Sequence, residues 1–206
     1  MNIKKPKIGQ INDITFEEAL KINEFYDKRF TENPIKNIND ITFNGCNFYK
    51  IDFTKIELKN VDIWDSIFED CDLSNILFDK RSINRCIFKN CRIVGVNFIE
   101  CSINDLQIIN CLGIYLNLYG NKIKNIIIKD TNMKESNFIE NKISDLEFDN
   151  VDLEKSEINN TLFKGTDFSS CNISGITTDL ISLKGIKINT NQAIELVGLL
   201  GVEIVE

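Results

Sequence analysis

Large apolar residues recur at every fifth position through most of this 206-residue chain. From Phe43 to Ile173, the 27 consecutive positions of this series are Phe, Leu, Ile or Met, with the single exception of Gly113. Only 43% of the residues in the chain are hydrophobic, so a run of this length is not a chance event. A period of five matches neither the helical turn of about 3.6 residues nor the two-residue repeat of a strand.

A second series of smaller residues lies two positions before each large one. All seven cysteines belong to it: Cys46, Cys71, Cys86, Cys91, Cys101, Cys111 and Cys171. Two inward residues separated by one outward residue form a short strand, because side chains alternate along a strand. The other two residues of each repeat turn a corner, so four repeats predict a square coil. Coils stacked at about 4.8 Å make a parallel β-solenoid, in which cysteine serves as a small residue that buries readily.

Pentapeptides such as CDLSN (71–75), TDFSS (166–170) and CNISG (171–175) resemble the pentapeptide-repeat family over at least residues 41–175. The resemblance implies an all-β fold, a right-handed quadrilateral parallel β-helix. We expect three segments, with a short helix at each end. They are an N-terminal helical cap segment (1–40), the β-helix (41–188), and a C-terminal helix and strand for dimerisation (189–206).

The sequence TFEEALKINEFYDKRF (15–30) predicts an N-terminal helix. Thr15 and Glu18 have the spacing of a capping box. The apolar residues fall on one broad face: Phe16, Ala19, Leu20, Ile22, Tyr26 and Phe30. We expect this helix to cap the first coil or to lie against the rod over an outward apolar column. A helix that is free to bind a partner is the alternative.

The last 24 residues, LKGIKINTNQAIELVGLLGVEIVE (183–206), predict a short helix that begins at Asn189 or Thr190 and ends at Gly201, then a terminal strand. This tail resembles that of quinolone-resistance (Qnr-type) pentapeptide proteins. The matching residues are Leu183, Gly185, Ile186, Lys187, Ile188, Gln192, Leu196, Leu200, Gly201 and Val202. In that family the tail joins two rods end to end, which implies a homodimer here. The predicted interface residues are Ile194, Leu196, Val197, Leu199, Leu200, Val202 and Ile204.

The composition excludes several kinds of chemistry. The chain has no histidine, which removes imidazole acid–base catalysis and imidazole metal ligands. It also lacks a glycine-rich phosphate loop, and its odd number of cysteines indicates reduced thiols in an unreactive ladder. We therefore predict no enzyme activity, no catalytic residue, no metal and no cofactor. The sequence shows neither a signal peptide nor a membrane segment, and its net charge of −7 argues against nucleic-acid binding, so we expect a cytoplasmic protein.

Charge is distributed in bands, with net −6 over residues 52–79, net +6 over 80–134 and net −5 over 145–167. Outward apolar residues form columns twenty positions apart. The first acidic band and one such column provide the candidate partner surface: Asp62, Asp65, Glu69, Asp70, Asp72, Ile99, Tyr119 and Ile139.

Two functions fit these features. The Qnr-type resemblance implies a bacterial, DNA-mimicking protein that binds DNA gyrase or topoisomerase IV and counters fluoroquinolones. The alternative is a structural or protein-interaction scaffold with an unknown partner and no role at a topoisomerase. The basic middle band and the lack of loop insertions between residues 43 and 173 count against the mimic.

Overall fold

Strands in this protein pair in parallel with partners twenty residues away. Ile87, for example, lies opposite Ile67 on one side and opposite Gln107 on the other. The computed structural model describes residues 2–199, 201 and 202. Within them, about eight stacked coils form a rod roughly 38 Å long. The predicted parallel β-solenoid is confirmed, because each coil uses the next one to satisfy its backbone hydrogen bonds.

The helices and strands of the described residues are short. In chain order they are β1 (Asn12–Asp13), α1 (Phe16–Ile22), β2 (Lys28–Phe30), β3 (Ile38–Asn39), β4 (Thr42–Asn44), β5 (Asn47–Tyr49), β6 (Leu58–Lys59), β7 (Asp62–Trp64), β8 (Ile67–Glu69), β9 (Leu77–Asp79), β10 (Ser82–Lys89), β11 (Asn97–Ile99), β12 (Ser102–Ile109), β13 (Asn117–Tyr119), β14 (Lys122–Lys129), β15 (Asn137–Ile139), β16 (Lys142–Asp149), β17 (Glu157–Asn159), β18 (Thr177–Thr178) and α2 (Thr190–Gly198).

The square cross-section gives the rod four faces, which we name from the coil 101–120. Face 1 holds residues 101–105, face 2 holds 106–110, face 3 holds 111–115 and face 4 holds 116–120. Residues twenty positions before or after belong to the same face. The long strands β10, β12, β14 and β16 cover faces 1 and 2, the column from β9 to β18 covers face 4, and isolated bridges through Leu112 connect the coils on face 3.

The large apolar series fills the axis of the solenoid, as predicted. Every apolar residue of the series is buried except Ile143, which is partly buried. Phenylalanine rings stack between coils, with ring centroids 4.5 Å apart for Phe48 and Phe68. Gly113 interrupts the series, but its N–H keeps the hydrogen bond to the carbonyl of Asn132 on the next coil. A Cβ atom at this position would lie only 3.2 Å from Ile93 Cγ1. The glycine therefore makes room for the isoleucine of the preceding coil.

Corner residues take up the left-handed backbone conformation. Asp65, Asn90 and Gly95 have φ values of 49°, 55° and 64°. Asparagine, aspartate and glycine adopt this conformation at the lowest cost. This preference explains why the corner positions of the sequence are rich in polar residues and glycine.

The cysteines contribute hydrogen bonds as well as volume. The Cys86 thiol donates to the carbonyl of Ile63 at 3.3 Å, and the Cys91 thiol donates to that of Phe68 at 3.4 Å. The Thr161 hydroxyl donates in the same way to the carbonyl of Phe138, 23 residues earlier, at 2.9 Å. The interpretation of cysteine as merely a small residue that buries readily was therefore incomplete, since the side chains of the small series also donate hydrogen bonds to main-chain carbonyls.

The N-terminal helix is shorter than predicted. Thr15 and Glu18 form the expected capping box, but α1 ends at Asn23, whose φ is 51°. The chain then joins the first coil, where β2 pairs with β5 and Phe30 is buried in the core. Stacking thus begins before residue 41. The prediction of a helix reaching residue 30 was wrong, because apolar residues spaced along the core of the first coil resemble a helix face.

The helix α1 closes the N-terminal end of the solenoid. Its Phe16 ring stacks on Phe30 with centroids 4.3 Å apart, and it also contacts Phe48 and Phe53. Ala19 is buried in the same core. The helix therefore packs on the open end of the core, and the expectation that it covers an outward apolar column was wrong.

Residues 2–9 form an N-terminal arm that runs along the outside of the rod. The backbone N–H of Lys4 donates to Asp105 Oδ1 at 3.0 Å, and that of Lys7 donates to Asp65 Oδ1 at 2.8 Å. Gly9 N–H donates to Asp27 Oδ1 at 3.1 Å. Asp105 and Asp65 are two coils apart, about 10 Å, which three extended residues of the arm span.

The helix α2 closes the other end. Asn189 caps it in a capping box with Gln192, whose buried side chain donates to the carbonyls of Phe168 and Cys171. The helix ends at Gly198 rather than at Gly201. The predicted terminal strand lies mostly outside the described residues. Within those residues, the longest helix has nine residues, too few to cross a lipid bilayer.

Candidate interaction surfaces

Three acidic residues of the first band pair with bases on the next coil. Asp65 is 6% exposed and accepts a hydrogen bond from Arg85 Nε at 2.6 Å. Although burial opposes it, the hydrogen bonds from Arg85 and the arm keep the pKa of Asp65 below its ordinary value. Asp65 was predicted to lie on a partner surface. The structure corrects this, because the arm and Arg85 cover it.

Two further acids of that band follow the same rule. Glu69 pairs with Lys89 at 2.7 Å, and Asp72 pairs with Arg92 at 3.2 Å. Asp62 accepts a hydrogen bond from the backbone of Ser82. Asp70 stays exposed and accepts one from the Asn90 amide. Bases of the next coil therefore compensate three of the eight acids of the first band, which interrupts its negative charge.

The predicted apolar column of face 4 is present in register. Ile99, Tyr119 and Ile139 lie opposite one another in β11, β13 and β15. Tyr119 is 38% exposed, and the two isoleucines are partly buried. The hydrogen bond between Tyr119 and Glu140 raises the pKa of the phenol.

Face 3 adds a second group of apolar residues beside this column. Leu112 and Ile114 are partly buried, and Tyr115 is 55% exposed at the corner between the two faces. We call these six residues the mid-rod patch: Ile99, Leu112, Ile114, Tyr115, Tyr119 and Ile139. The hydroxyl group of Tyr115 lies 3.4 Å from Glu135 Oε1, so carboxylates border the patch.

The sequence interpretation missed Tyr115, which holds an unfavourable backbone conformation. Its φ is 61°. The same corner carries Asn75 and Gly95 in the two preceding coils, and Glu135 and Lys155, also with positive φ, in the two following coils. A bulky side chain in the left-handed region costs about 1 kcal/mol. An aromatic residue at a corner position that favours asparagine or glycine was the signal that could have identified it.

The C-terminal end presents exposed apolar side chains. Ile194, Leu199 and Val202 of the predicted dimer interface are each about half exposed, at 52%, 49% and 52%. Leu180 and Ile181 at the same end are more exposed still. We call these five residues the end patch.

Other predicted interface residues are placed differently. Leu196 is only 8% exposed and packs into the core, so the structure removes it from the predicted dimer surface. A helix that closes a solenoid must point some apolar residues inward, and Leu196 occupies that position. Val197 is partly buried, and Leu200 and Ile204 lie outside the described residues.

The thiols are poor candidates for reactive or metal-binding groups. All seven are free and buried. Burial raises the pKa of Cys46 and that of Cys86 to about 12. No three cysteine, aspartate or glutamate side chains in the described residues converge as a metal-binding group.

The fold is that of a β-solenoid protein, and comparison with family profiles identifies the family of solenoids to which it belongs. The profile "Pentapeptide repeat region" matches residues 61–138, and "Pentapeptide repeats (8 copies)" matches 37–75 and 147–177. The chain belongs to the pentapeptide-repeat family. No curated protein matches its sequence.

Several solved structures are similar in shape. Trypsin-treated QnrB1, a plasmid-mediated fluoroquinolone resistance protein, is 18% identical with a TM-score of 0.44, covering 95% of this chain and 96% of QnrB1. For full-length QnrB1 the identity is 16%, the TM-score 0.43 and the coverage 93% and 96%. HetL, from the cyanobacterium Nostoc and involved in heterocyst differentiation regulation, is 9% identical with a TM-score of 0.33, covering 84% and 94%. These values are too low for any function to be carried over.

Proposed function

We propose that this chain is a non-enzymatic protein-binding scaffold that contacts its partner through the mid-rod patch. The observation that carries the proposal is Tyr115, an exposed aromatic residue held in a left-handed conformation. The coil requires a left-handed residue at this corner, but asparagine or glycine adopts that conformation at lower cost, so the backbone does not explain the choice of tyrosine. A residue type kept at a conformational cost is typical of a binding site. Aromatic side chains are also favoured anchors at protein interfaces.

The border of the mid-rod patch indicates the chemistry of that partner. Glu100, Glu135 and Glu140 lie on the corners beside the two tyrosines. Only Glu100 has a basic residue within ion-pair distance, Lys80 at 3.7 Å, among the described residues. A partner with an apolar centre and basic residues around it would complement this surface.

We further propose that two copies of the chain join end to end through the end patch. Ile194, Leu199 and Val202 leave about half of each side chain in water at one end of the rod. A second copy related by a two-fold axis would bury the same residues from both chains. Replacing Leu199 with Asp should convert the dimer to a monomer, as measured by sedimentation. Leu77→Asp, at a similarly exposed site on the side of the rod, should not.

A DNA-mimicking inhibitor or protector of DNA gyrase or topoisomerase IV is the second candidate. The net charge of −7 and the exposed tail favour it. The pairing of Asp65, Glu69 and Asp72 with bases of the next coil speaks against it, because a mimic of duplex DNA needs uncompensated negative charge.

Site-specific photocrosslinking tests the scaffold proposal. Benzoylphenylalanine is placed at Tyr119 or, as a control, at Tyr49, which is equally exposed at 38% but lies on the opposite face. In the native host we expect a defined protein adduct from position 119 alone. The same adducts from both positions, or none from position 119, would exclude the patch.

A gyrase assay separates the two candidates. The protein is titrated into a supercoiling reaction with and without ciprofloxacin. Inhibition of supercoiling, or rescue from the drug, at micromolar protein would favour the topoisomerase candidate. No effect in either reaction is expected for a scaffold with another partner.

A further inference from the structure

Face 1 carries three lysines that lack a counter-charge. Lys122 and Lys124 of β14 and Lys142 of β16 are all exposed. No ion pair involves any of them in the part of the chain that is described. Lys122 lies directly opposite Lys142 in the parallel ladder, so two like charges occupy neighbouring coils. Like charges in this position destabilise a sheet.

Elsewhere on the rod, lysines in neighbouring coils face acids. Lys89 pairs with Glu69 at 2.7 Å, and Lys134 pairs with Glu154 at 2.6 Å. The lysines of face 1 differ from these two pairs, because Lys122 faces Ser102 and Lys142, and Lys124 faces Asn104 and Ser144. Their repulsion would be relieved by an anionic group supplied from outside the chain.

The N-terminal arm adds two more lysines at the same place. Lys4 N–H and Asn125 Nδ2 donate to one oxygen, Asp105 Oδ1, at 3.0 Å and 3.1 Å. Asn125 follows Lys124 in the chain, so this contact brings the arm beside the lysines of face 1. Lys4 and Lys5 are exposed, and Lys4 contacts Asp105 through its backbone N–H rather than through its ammonium group.

The arm also changes the charge presented by this side of the rod. Asp65 and Asp105 are each only 6% exposed beneath it. Docking of the arm thus covers two carboxylates and displays ammonium groups in their place. The resulting lysine patch consists of Lys4, Lys5, Lys122, Lys124 and Lys142.

We infer that the lysine patch binds an acidic, extended segment of a partner protein. In an extended segment, alternate carboxylates lie about 7 Å apart, which matches the spacing of Lys122 and Lys124 along β14. The intervening surface is polar, with Ser102, Asn104 and Ser144 on neighbouring strands.

A short acidic segment fits this surface better than a nucleic acid. Asp145 is exposed at the edge of the patch, and Asp149 lies on the adjacent face. A duplex about 20 Å wide would approach these acids within the screening length of about 8 Å. The patch is independent of the mid-rod patch, which lies on faces 3 and 4.

Fluorescence anisotropy with a labelled peptide of alternating glutamate and glycine tests this inference. The variant Lys122→Ser/Lys124→Ser/Lys142→Ser should bind about tenfold more weakly, and added salt should weaken wild-type binding. The matched control, Lys50→Ser/Lys59→Ser/Lys184→Ser, removes the same charge from exposed sites elsewhere and should stay within about twofold. Lys4→Ser/Lys5→Ser should weaken peptide binding about threefold, because two ammonium groups are removed. The loss should be smaller than for the triple variant, since the backbone contact of Lys4 still anchors the arm.

Several results would overturn the inference. Equal losses in the two triple variants would attribute binding to net charge alone. An oligothymidine probe that binds more tightly than the peptide would indicate a nucleic-acid surface instead. Failure of the wild-type protein to bind the peptide at millimolar concentration would exclude the site. Thermal unfolding of each variant checks that the fold is intact.

Discussion

Two stretches of the solenoid, residues 43–113 and residues 121–182, differ in the chemistry of their small inward residues. The first stretch contains six of the seven cysteines, beside stacked phenylalanine rings. The second stretch uses buried polar residues: Asn121, Thr131, Ser136, Asn141, Ser156, Thr161, Thr166 and Ser182. In both stretches the small side chain donates to a carbonyl 23 residues earlier, as Cys86 does to Ile63 and Asn141 does to Leu118. The fold therefore accepts a thiol, a hydroxyl or an amide in the same role.

Main-chain N–H groups in both stretches also donate to the small side chain one coil later, as Cys91 does to Cys111 Sγ, and around Asn121 these bonds form a continuous ladder along the axis. Cys101 N–H donates to Asn121 Oδ1 at 2.8 Å, and Asn121 N–H donates to Asn141 Oδ1 at 3.0 Å. Asn141 N–H continues the ladder to Thr161 Oγ1 at 3.1 Å. Buried amides of this kind fix the register of neighbouring coils, because a shifted register would leave them without partners.

The largest effect is expected from the aromatic core of the first stretch. Phe48→Ala should lower the free energy of unfolding by about 4 kcal/mol, because it opens a cavity among Phe30, Phe43 and Phe68. Chemical denaturation measures the change. Phe48→Leu is the control and should cost clearly less. A loss below about 1 kcal/mol for the alanine variant would mean that the core rearranges around the cavity.

Asn141→Leu tests the polar ladder of the second stretch. We expect a loss of about 3 kcal/mol, since the N–H of Asn121 and the carbonyl of Leu118 would lose their buried partner. The matched change Asn39→Leu, at an exposed position of β3 with an ordinary strand conformation, should cost about 0.5 kcal/mol or less. Equal costs for the two variants would show that the ladder adds nothing to stability.

The buried thiols predict that stability declines at alkaline pH. Burial raises the pKa of Cys86 to about 12, above the ordinary value of 9.0 that applies to the unfolded chain. The contribution is therefore complete below about pH 9 and is lost as the pH rises towards 12. Between pH 9.5 and 11, the wild type should lose about 2 kcal/mol more than Cys86→Ala. Parallel stability curves for the two proteins would contradict the raised pKa.

The smallest effect is expected when the two chemistries are exchanged. Ser156 donates to the carbonyl of Met133 at 3.1 Å. Ser156→Cys keeps a donor, as the cysteines of the first stretch do, and should change stability by less than about 1 kcal/mol. Ser156→Ala removes the donor and should cost about 1.5 kcal/mol. The reverse order would show that volume rather than hydrogen bonding controls this position.

The repeat made most of the fold predictable, whereas the surfaces were only partly so. The column of Ile99, Tyr119 and Ile139 followed from counting in twenties, because residues one coil apart are neighbours in any square solenoid. Asp65 was assigned to a free acidic surface, since counting shows that Arg85 lies above it but not that the guanidinium folds onto the carboxylate. Leu196 was assigned to a dimer, since a helical pattern does not reveal which side of α2 the core occupies.

The five-residue period by itself determined the coil, the interior and the register, because each repeat must bury two side chains and pass its backbone hydrogen bonds to the next coil. Tertiary structure alone decided where the non-repeating ends lie. The arm reaches from Lys4 to Asp105, and α2 brings Gln192 to Phe168, through contacts that no period encodes. These contacts depend on which buried groups the last coils leave unsatisfied, and that is known only once the coils are stacked.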